Sequence, residues 1–249
     1  MSTDPLQSDQ SDPLQAWLRT APGAVLAQSE CAIVQRLLAN TFGYYLVQIG
    51  AGEHFDSALA ASRIRQRVRL APTLTAARAT GASLVADLHA LPLASESLDA
   101  VLLPHTLEST AQPRVLLAEV ERVLIPHGRL VLLGFEPLSL WGLGRRRAFS
   151  SGRWHSAWQV ERWLREQGFE IEARERTLIC PPPLAAFIGR CSVLAALGRR
   201  LAPLFGGVYA MRAVKRVATL TPIKPYRACR RALLPGGAVR PTTRGTGHV

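Results

Sequence analysis

Long apolar runs, paired cysteines and a basic leader are all missing from this chain of 249 residues. No stretch approaches the roughly 18 uninterrupted apolar residues that a membrane-spanning helix requires. The four cysteines lie far apart, and none has the neighbouring cysteine or histidines that would complete a zinc site. The start of the chain carries Asp4, Asp12 and Glu30 and no basic segment followed by an apolar one. We therefore expect no secretory signal and a cytoplasmic location.

Acidic side chains are absent after Glu175, although the sequence contains 18 of them. From residue 183 onward there are ten arginines and two lysines, so the net charge of +12 arises entirely in the last quarter of the chain. This asymmetry predicts attraction to an anionic partner such as RNA, DNA or an acidic membrane surface. A solvated basic tail in an arginine-rich protein would have the same charge pattern, and this alternative stays open.

The chain does contain enough apolar surface for a folded core, since 48% of its residues are hydrophobic. Short apolar runs predict strands at 44–49, 67–70, 83–86, 98–103 and 128–135, and two further strands are predicted at 169–179 and 207–217. Several of these segments are separated by spacers of helical length. Alternating strands and helices predict an α/β fold with a largely parallel sheet and right-handed crossovers.

Helical periodicity accounts for most of the other segments. A first helix is predicted over 13–20, and Ser29 is a candidate N-cap for a second helix whose buried face begins at Ile33. Amphipathic patterns predict two further helices at 113–124 and 158–167, each followed by a helix-breaking glycine or proline. These helices supply the apolar faces that a buried parallel sheet requires.

Two glycines, Gly50 and Gly52, follow the predicted strand at 44–49 within the sequence QIGAGEH. At such a point an α/β sheet turns tightly, and backbone N–H groups can approach a ligand. A purely structural turn would use the same glycines. The chain lacks the third glycine of the dinucleotide-binding fingerprint and the Lys-Ser or Lys-Thr of a P-loop. Neither a nicotinamide-dependent dehydrogenase nor a P-loop enzyme is therefore supported.

The sequence downstream, ADLHALPLASESLDAVLLPHTLESTAQPRVLLAEVERVLIPHGRLVLLGFEP, resembles the type 11 subset of class I methyltransferases throughout its length. Gly50 and Gly52 match the glycine turn of that family, Ala86-Asp87-Leu88 matches its acid after strand three, and residues 122–128 match its R-V-L-x-P-x-G stretch. The resemblance covers about residues 44–180. The adjoining FEPLSLWG is similar to a little-characterised proteobacterial branch of the family.

This resemblance implies a Rossmann-like fold, with a seven-stranded, mostly parallel sheet, a reversed last strand and helices on both faces. It also implies S-adenosylmethionine as the cofactor. The cofactor-binding residues that follow from it are Gln48, Gly50, Gly52, Asp87, Leu88 and Pro104. The carboxylate of Asp87 can accept a hydrogen bond from the adenine amino group, while Leu88 offers a backbone N–H and an apolar side chain to the purine. Asp87 as the cap of a helix over 88–91 is the structural alternative.

The chain departs from the family pattern at two positions. Gln48 stands where an acid usually precedes the first glycine, and RVRLAPTLTAAR offers no acid after strand two to bind the ribose hydroxyls. A missing ribose contact would weaken cofactor binding by about 1–3 kcal/mol. Glu53, in the turn, is a candidate substitute. The alternatives are a different mode of cofactor binding and loss of the cofactor.

Methyl transfer requires alignment of the acceptor with the methyl group and, for a protonated acceptor, a base. The resemblance places the loop after strand four beside the methyl group. In this loop His105 can accept a proton, and Glu108 can orient it or bind a cationic substrate. We predict both as catalytic residues, with simple hydrogen bonding to a neighbouring loop as the alternative. His54 and His89 border the same predicted cleft without visible convergence of ligands, so no metal is expected.

The predicted organisation is a methyltransferase domain over 1–220 and a basic, flexible tail over 221–249. Within the domain, an apolar segment interrupted by arginines predicts an inserted helix at about 184–204. The alternatives for this helix are that it covers the core, covers a substrate pocket or lies on a membrane surface.

Three functions are compatible with these patterns. The family resemblance favours methyl transfer to a small or lipophilic metabolite. RNA is a second acceptor class, because three arginines at 145–147 between Trp141 and Trp154, together with the basic C-terminal quarter, would neutralise phosphates. A solvated basic loop explains the same arginines. The third function is a catalytically silent, methyltransferase-like binding or scaffold protein, which the missing acid after strand two suggests.

Overall fold

The computed structural model describes residues 13–18, 20–50, 52–137, 139, 153–177 and 207–216. The helices are α1 (Pro13–Leu18), α2 (Ala21–Leu38), α3 (Asp56–Ala60), α4 (Leu74–Thr80), α5 (Thr106–Ser109), α6 (Pro113–Val123) and α7 (Ala157–Glu166). The strands are β1 (Phe42–Ile49), β2 (Arg63–Ala71), β3 (Leu84–Val85), β4 (Leu98–Pro104), β5 (Leu124–Phe135), β6 (Phe169–Thr177) and β7 (Val208–Lys215). A single 3-10 turn, Glu53–Phe55, precedes α3.

Several sequence predictions fall outside the described residues. These are Trp141, the arginines at 145–147, the helix at about 184–204 and the tail over 221–249. Among the helices that the structure describes, none is long and apolar enough to cross a membrane.

The seven strands form one sheet in the order β3-β2-β1-β4-β5-β7-β6. The neighbouring pairs from β3 to β5 are parallel, whereas β7 runs antiparallel to both β5 and β6. The predicted seven-stranded, mostly parallel sheet with a reversed last strand is therefore confirmed. Because β1 to β5 run in the same direction, their carboxyl ends meet at one edge of the sheet.

Helices cover both faces of the sheet. Along β4, Val101 and Leu103 face one apolar cluster, while Ala100 and Leu102 face the other, as the period of two in a strand requires. The first cluster is completed by α6 and α7, and the second by α2 and α3. All four β4 side chains are fully buried. A strand buried on both faces explains the continuous apolar run that predicted it.

The beginning of α2 differs from the prediction. Ser29 does not cap this helix: it lies in the middle, where its hydroxyl donates to the carbonyl oxygen of Val25. The N-cap is Thr20, whose side chain accepts a hydrogen bond from the backbone N–H of Gly23. Leu26 is already on the buried face, so the apolar stripe begins about two turns earlier than the sequence pattern indicated.

Two strands are longer than predicted, at their amino ends. β2 begins at Arg63 rather than at 67, because its first half carries exposed arginines that interrupt the apolar run. β5 begins at Leu124 rather than at 128, because Leu124 already pairs with Leu98 across the sheet. Strand length therefore follows the pairing of neighbours as well as hydrophobicity.

Candidate functional site

The predicted cofactor residues lie at the edge formed by the carboxyl ends of the parallel strands. Gly50 directly follows β1, Asp87 follows β3 by two residues, and Pro104 is the last residue of β4. Open α/β sheets bind ligands at this edge. The structure thus brings together three segments that are distant in sequence.

Gln48 holds the glycine turn from inside the protein. Its side chain is buried, and Nε2 donates hydrogen bonds to the carbonyl oxygens of Gly50 at 3.0 Å and Gly52 at 3.2 Å. A carboxylate has no donor and could not make these two bonds. The glutamine at this position is therefore a structural part of the turn, which explains why an acid is not required there.

Two features require glycine at position 50: the backbone conformation and the close approach of a neighbouring side chain. Its φ is +78°, a conformation that L side chains rarely adopt, and a Cβ at this position would lie 3.0 Å from Oγ1 of Thr106. The hydroxyl of Thr106 donates to the carbonyl oxygen of Ile49 and joins the ends of β1 and β4. Sequence analysis did not identify Thr106 as a residue of the site, since a threonine after an apolar strand has no distinctive pattern.

Asp87 presents a carboxylate to solvent at the edge of the sheet, with 66% of its side chain exposed. The backbone N–H of His89 donates to Oδ1 at 2.8 Å, and this bond lowers the pKa of Asp87. The ionised carboxylate keeps its acceptor capacity for a ligand amine. Leu88 and His89 form a turn, so the alternative of Asp87 as a helix cap is wrong.

Leu88 contributes less than predicted. Its side chain is 6% exposed and packs in the core beside Leu91 and Val101, on the α6 face of the sheet. It is therefore placed to support the turn at Asp87 rather than to lie against a purine. Its backbone N–H stays the predicted contact.

An arginine lies near the end of β2, where the family pattern has an acid. Arg69 donates to the carbonyl oxygen of Thr80 at 2.7 Å and to Oδ2 of Asp56 at 3.2 Å. Glu53 lies 3.9 Å from Arg69 with 72% of its side chain exposed. Glu53 as a substitute for the ribose acid stays a prediction.

A buried ion pair lies beneath the loop after β4. His105 Nε2 donates to Oε1 of Glu30, in α2, at 2.9 Å, and Oε1 of Glu108 lies 3.8 Å from the other ring nitrogen. His54 Nε2 lies 3.8 Å from the second oxygen of Glu30. Glu30, His105 and Glu108 are each at most 5% exposed. The structure therefore brings the predicted pair His105 and Glu108 together and adds Glu30, which the sequence analysis missed.

The electrostatic environment favours the charged forms of both His105 and Glu30. Burial opposes charge on His105, but the carboxylates of Glu30 and Glu108 outweigh it and raise the pKa of His105 to about 10. Burial likewise opposes ionisation of Glu30, and the neighbouring His105 cation outweighs it, so the pKa of Glu30 is lowered. At neutral pH His105 is an imidazolium, which carries two N–H donors and has no free electron pair for a proton.

A spacing signal could have indicated Glu30. It lies four residues after Leu26 and three before Ile33, both of which are buried on the same side of α2. A carboxylate on the apolar stripe of a helix requires a partner in the interior. Sequence alone does not say that the partner is His105, which lies 75 positions away.

Aromatic rings extend this group along the ends of β4 and β5. The ring of His105 stacks on Phe135 at 4.2 Å, and Phe135 stacks on Trp154 at 5.0 Å. A Cβ at Gly134 would lie 2.3 Å from the hydroxyl of Tyr209 and 3.0 Å from Glu108, so the glycine lets these two side chains approach. We call His105, Glu108, Phe135, Trp154 and Tyr209 the ring–carboxylate cluster.

Glu108 is the acceptor of the ring–carboxylate cluster with unused hydrogen-bonding capacity, beside two unpartnered donors, Nδ1 of His105 and Nε1 of Trp154. Its Oε1 accepts a hydrogen bond from the backbone N–H of Phe135 at 2.8 Å, while its Oε2 is buried without a hydrogen-bond partner. Burial, followed by the charges of Glu108 and Glu136, raises the pKa of Tyr209, which therefore stays a phenol. A buried carboxylate oxygen without a partner is costly unless a ligand completes it.

The histidines do not converge on a metal. His54 and His105 both face Glu30, whereas His89 lies against Asp87 and Thr110. In the part of the chain that the structure describes, no group of three or more histidine, cysteine, aspartate or glutamate side chains is placed to bind a metal ion.

Comparison with known proteins bears on the class of this site. Residues 47–132 match the family model described as a methyltransferase domain. YafS of Escherichia coli is 36% identical over 97 residues, which are 36% of this chain and 40% of YafS. Rv2003c of Mycobacterium tuberculosis is 30% identical over 185 residues, which are 69% of this chain and 62% of Rv2003c. Both are described as uncharacterized proteins, and the chain spans less than two thirds of either.

A solved structure shows the same fold. Geranyl diphosphate C-methyltransferase from Streptomyces coelicolor superposes with a TM-score of 0.59 at 15% identity, covering 85% of this chain and 82% of that enzyme. It was crystallised with Mg²⁺, geranyl-S-thiolodiphosphate and S-adenosylhomocysteine. Residues 47–132 therefore match the methyltransferase domain family, and the fold that surrounds them is that of a class I methyltransferase.

The cofactor of this class is S-adenosylmethionine, and the residues at the edge of the sheet fit it. Gly50 leaves the space that a Cβ would fill, and Gln48 holds the turn open. Asp87 offers an ionised and accessible carboxylate. At the end of β2, where the family has an acid, the exposed carboxylates beside Arg69 are those of Asp56 at 3.2 Å and Glu53 at 3.9 Å.

Proposed function

We propose that this protein transfers the methyl group of S-adenosylmethionine to a small or lipophilic metabolite bound at the ring–carboxylate cluster. The observation that carries this proposal is the buried, unpartnered Oε2 of Glu108, whose carboxylate lies near His105 and Tyr209 at the cofactor edge of the sheet. One unpartnered carboxylate oxygen in an otherwise apolar cluster suits a compact acceptor with one polar group.

The bound cofactor supplies an electrophilic methyl group. Gly50 and Gly52 would hold its methionine part, Asp87 and the backbone of Leu88 its adenine, and Pro104 would lie beside both. Thr106 fixes the distance between the ends of β1 and β4 and so keeps the cofactor turn in register with the acceptor side. Alignment of this kind contributes most of the rate enhancement that methyl transfer requires.

Glu108 would bind and orient the acceptor through Oε2 and take up its proton where the acceptor is protonated. His105 would act as a positioning residue: its charge attracts Oε1 of Glu108, while Glu30 fixes its ring. A base role for His105, which the sequence suggested, requires a neutral imidazole, and the buried carboxylates oppose that state.

The test uses S-adenosylmethionine labelled in its methyl group, the full chain and two acceptor pools: a low-molecular-weight bacterial extract and the total RNA of the same cells. Label in the small-molecule pool, lost with Glu108→Gln, is the expected result. Label in RNA would overturn the metabolite assignment in favour of the RNA methyltransferase. No transfer by protein that binds the cofactor would favour the silent scaffold.

Replacement of Asp87 by alanine is expected to weaken binding of S-adenosylmethionine about tenfold or more, because the adenine amino group loses an ionised acceptor. Titration calorimetry measures this. Glu170→Ala is the matched control, since Glu170 is an exposed carboxylate of β6, paired with Arg216 and not part of the site. Equal affinity of the Asp87 variant and the wild type would remove Asp87 from the site.

A further inference from the structure

A second surface lies at the opposite edge of the sheet, where β1 and β2 begin. It combines three exposed aromatic side chains with two exposed arginines, and we call it the aromatic–arginine face. Its members are Phe42, Tyr44, Tyr45, Arg63 and Arg65.

The aromatic side chains of this face are unusually exposed for their size. Phe42 is 58% exposed, Tyr44 66% and Tyr45 51%, whereas β1 is fully buried from Leu46 to Ile49. Among the large hydrophobic side chains that the structure describes, Trp158 is the other aromatic one with such exposure. A cluster of exposed rings on a soluble domain indicates an interaction site.

Strand pairing places the arginines beside the rings. Phe42 pairs with Arg63, and the Arg63 guanidinium lies 5.0 Å from the centre of the Phe42 ring. Gly43 pairs with Ile64 and Tyr45 with Gln66, so Tyr44 lies beside Arg65. Arg67 pairs with the buried Leu46 and lies on the opposite face of the sheet, because Ile64 packs in the same apolar cluster as Leu46, whereas Val68 and Leu70 pack in the other cluster. The result is two neighbouring pairs of a ring and a guanidinium.

These arginines lack the carboxylates that neutralise most others. Across the described residues, ten arginines form ion pairs with aspartate or glutamate: Arg36, Arg69, Arg114, Arg122, Arg129, Arg162, Arg165, Arg174, Arg212 and Arg216. Arg63 and Arg65, the two arginines of the aromatic–arginine face, have no such partner in that part of the chain. The face therefore has a net positive charge that an anionic partner would complement.

The backbone beneath the rings is fixed. Oδ2 of Asp99 accepts hydrogen bonds from the backbone N–H groups of Tyr44 at 2.8 Å and Tyr45 at 2.9 Å. Gly43 allows this approach, since a Cβ there would lie 2.2 Å from the carboxylate carbon of Asp99. Asp99 is thus committed to the backbone, and the rings are presented on a preorganised strand.

We propose that the aromatic–arginine face binds single-stranded RNA. Bases stack on exposed aromatic rings, and guanidinium groups bind phosphates, so neighbouring pairs of both match an extended strand. The two tyrosine hydroxyls add partners for the ribose 2′-hydroxyl. The face lies at the amino ends of the strands, away from the cofactor edge, so RNA bound there would tether the protein and leave the acceptor site free.

The test is fluorescence anisotropy of the full chain with a labelled oligouridylate at several salt concentrations. Combined replacement of Arg63 and Arg65 by serine is expected to weaken binding about tenfold or more. The slope of log affinity against log salt is expected to fall by about 1.4, because each phosphate contact contributes about 0.7. Phe42→Ser with Tyr44→Ser is expected to weaken binding about tenfold at an unchanged slope, since stacking releases no counterions.

The matched control removes the same charge elsewhere. Arg162 and Arg165 are exposed and paired with glutamates of α7, and their combined replacement by serine is expected to change affinity less than about twofold. Equal weakening by both of these double arginine variants would show binding through diffuse charge and overturn the proposal. Tighter binding of oligothymidylate, or binding of phosphatidylserine vesicles in place of RNA, would also overturn it. Circular dichroism confirms that each variant is folded.

Discussion

Replacement of Glu30 by glutamine is expected to lower the free energy of unfolding by about 3–5 kcal/mol, the cost of removing one partner from a buried ion pair. Glu30 is fully buried and accepts a hydrogen bond from His105 at 2.9 Å. Once the charge of Glu30 is removed, the His105 cation has only the carboxylate of Glu108, 3.8 Å away, as a weaker partner. Urea denaturation at pH 6 measures the difference.

The pH dependence of this effect is specific. The pKa of His105 is raised from 6.5 to about 10, so its stabilisation is complete below pH 6.5 and is lost as the pH rises toward 10. The pKa of Glu30 is lowered from 4.5, so its stabilisation is complete above pH 4.5 and is lost in acid. The difference between wild type and Glu30→Gln is therefore expected to be largest between pH 4.5 and 6.5 and to shrink steadily toward pH 10.

A surface carboxylate provides the control for this experiment. Glu170→Gln removes an exposed ion pair with Arg216, and its effect is expected to be small and nearly independent of pH over the same range. A difference for Glu30→Gln that stays constant from pH 6 to pH 10 would contradict the charged pair. It would indicate a loss of packing instead.

Replacement of Gly50 by alanine is expected to reduce affinity for S-adenosylmethionine at least about tenfold, in addition to destabilising the fold by about 1–2 kcal/mol. The positive φ of +78° strains any L residue, and the added Cβ would lie 3.0 Å from the hydroxyl of Thr106. Thr106 would then shift from its bond to Ile49, and the turn would lose its shape. Calorimetric titration of the folded variant measures the affinity.

Gly168 separates backbone strain from the effect on the site. Its φ is +84°, and a Cβ there would meet nothing within 4 Å. Gly168→Ala therefore carries the same backbone cost at the end of α7, with no expected effect on cofactor affinity. If both variants bound the cofactor equally well, Gly50 would have only a structural role in the turn.

The arrangement of the sheet could be predicted because its signals are local. Each strand has an apolar run, each helix an apolar stripe, and the family resemblance supplied the reversal of the last strand. The first half of β2 could not be predicted in this way, because its arginines are exposed and interrupt the apolar pattern of the strand. The misplaced cap at Ser29 has a similar cause: serine is a good cap residue, but its environment in α2 decides its role.

The candidate site was predicted only in part. Gly50, Asp87 and Pro104 lie at or just after the carboxyl ends of their strands, so the parallel direction of these strands was enough to bring the three residues to one edge. The pair of Glu30 and His105 depends on where α2 packs, and no local pattern contains that information. The same holds for Tyr209, which reaches Glu108 because β7 returns antiparallel to β5. Residues that meet through tertiary packing therefore required the structure.

The most direct measurement is a calorimetric titration of the full chain with S-adenosylmethionine. Saturable binding at one site per chain, competed by S-adenosylhomocysteine, is the expected result. Absence of binding at millimolar cofactor, from protein that circular dichroism shows to be folded, would contradict a functional cofactor site at the ends of β1, β3 and β4.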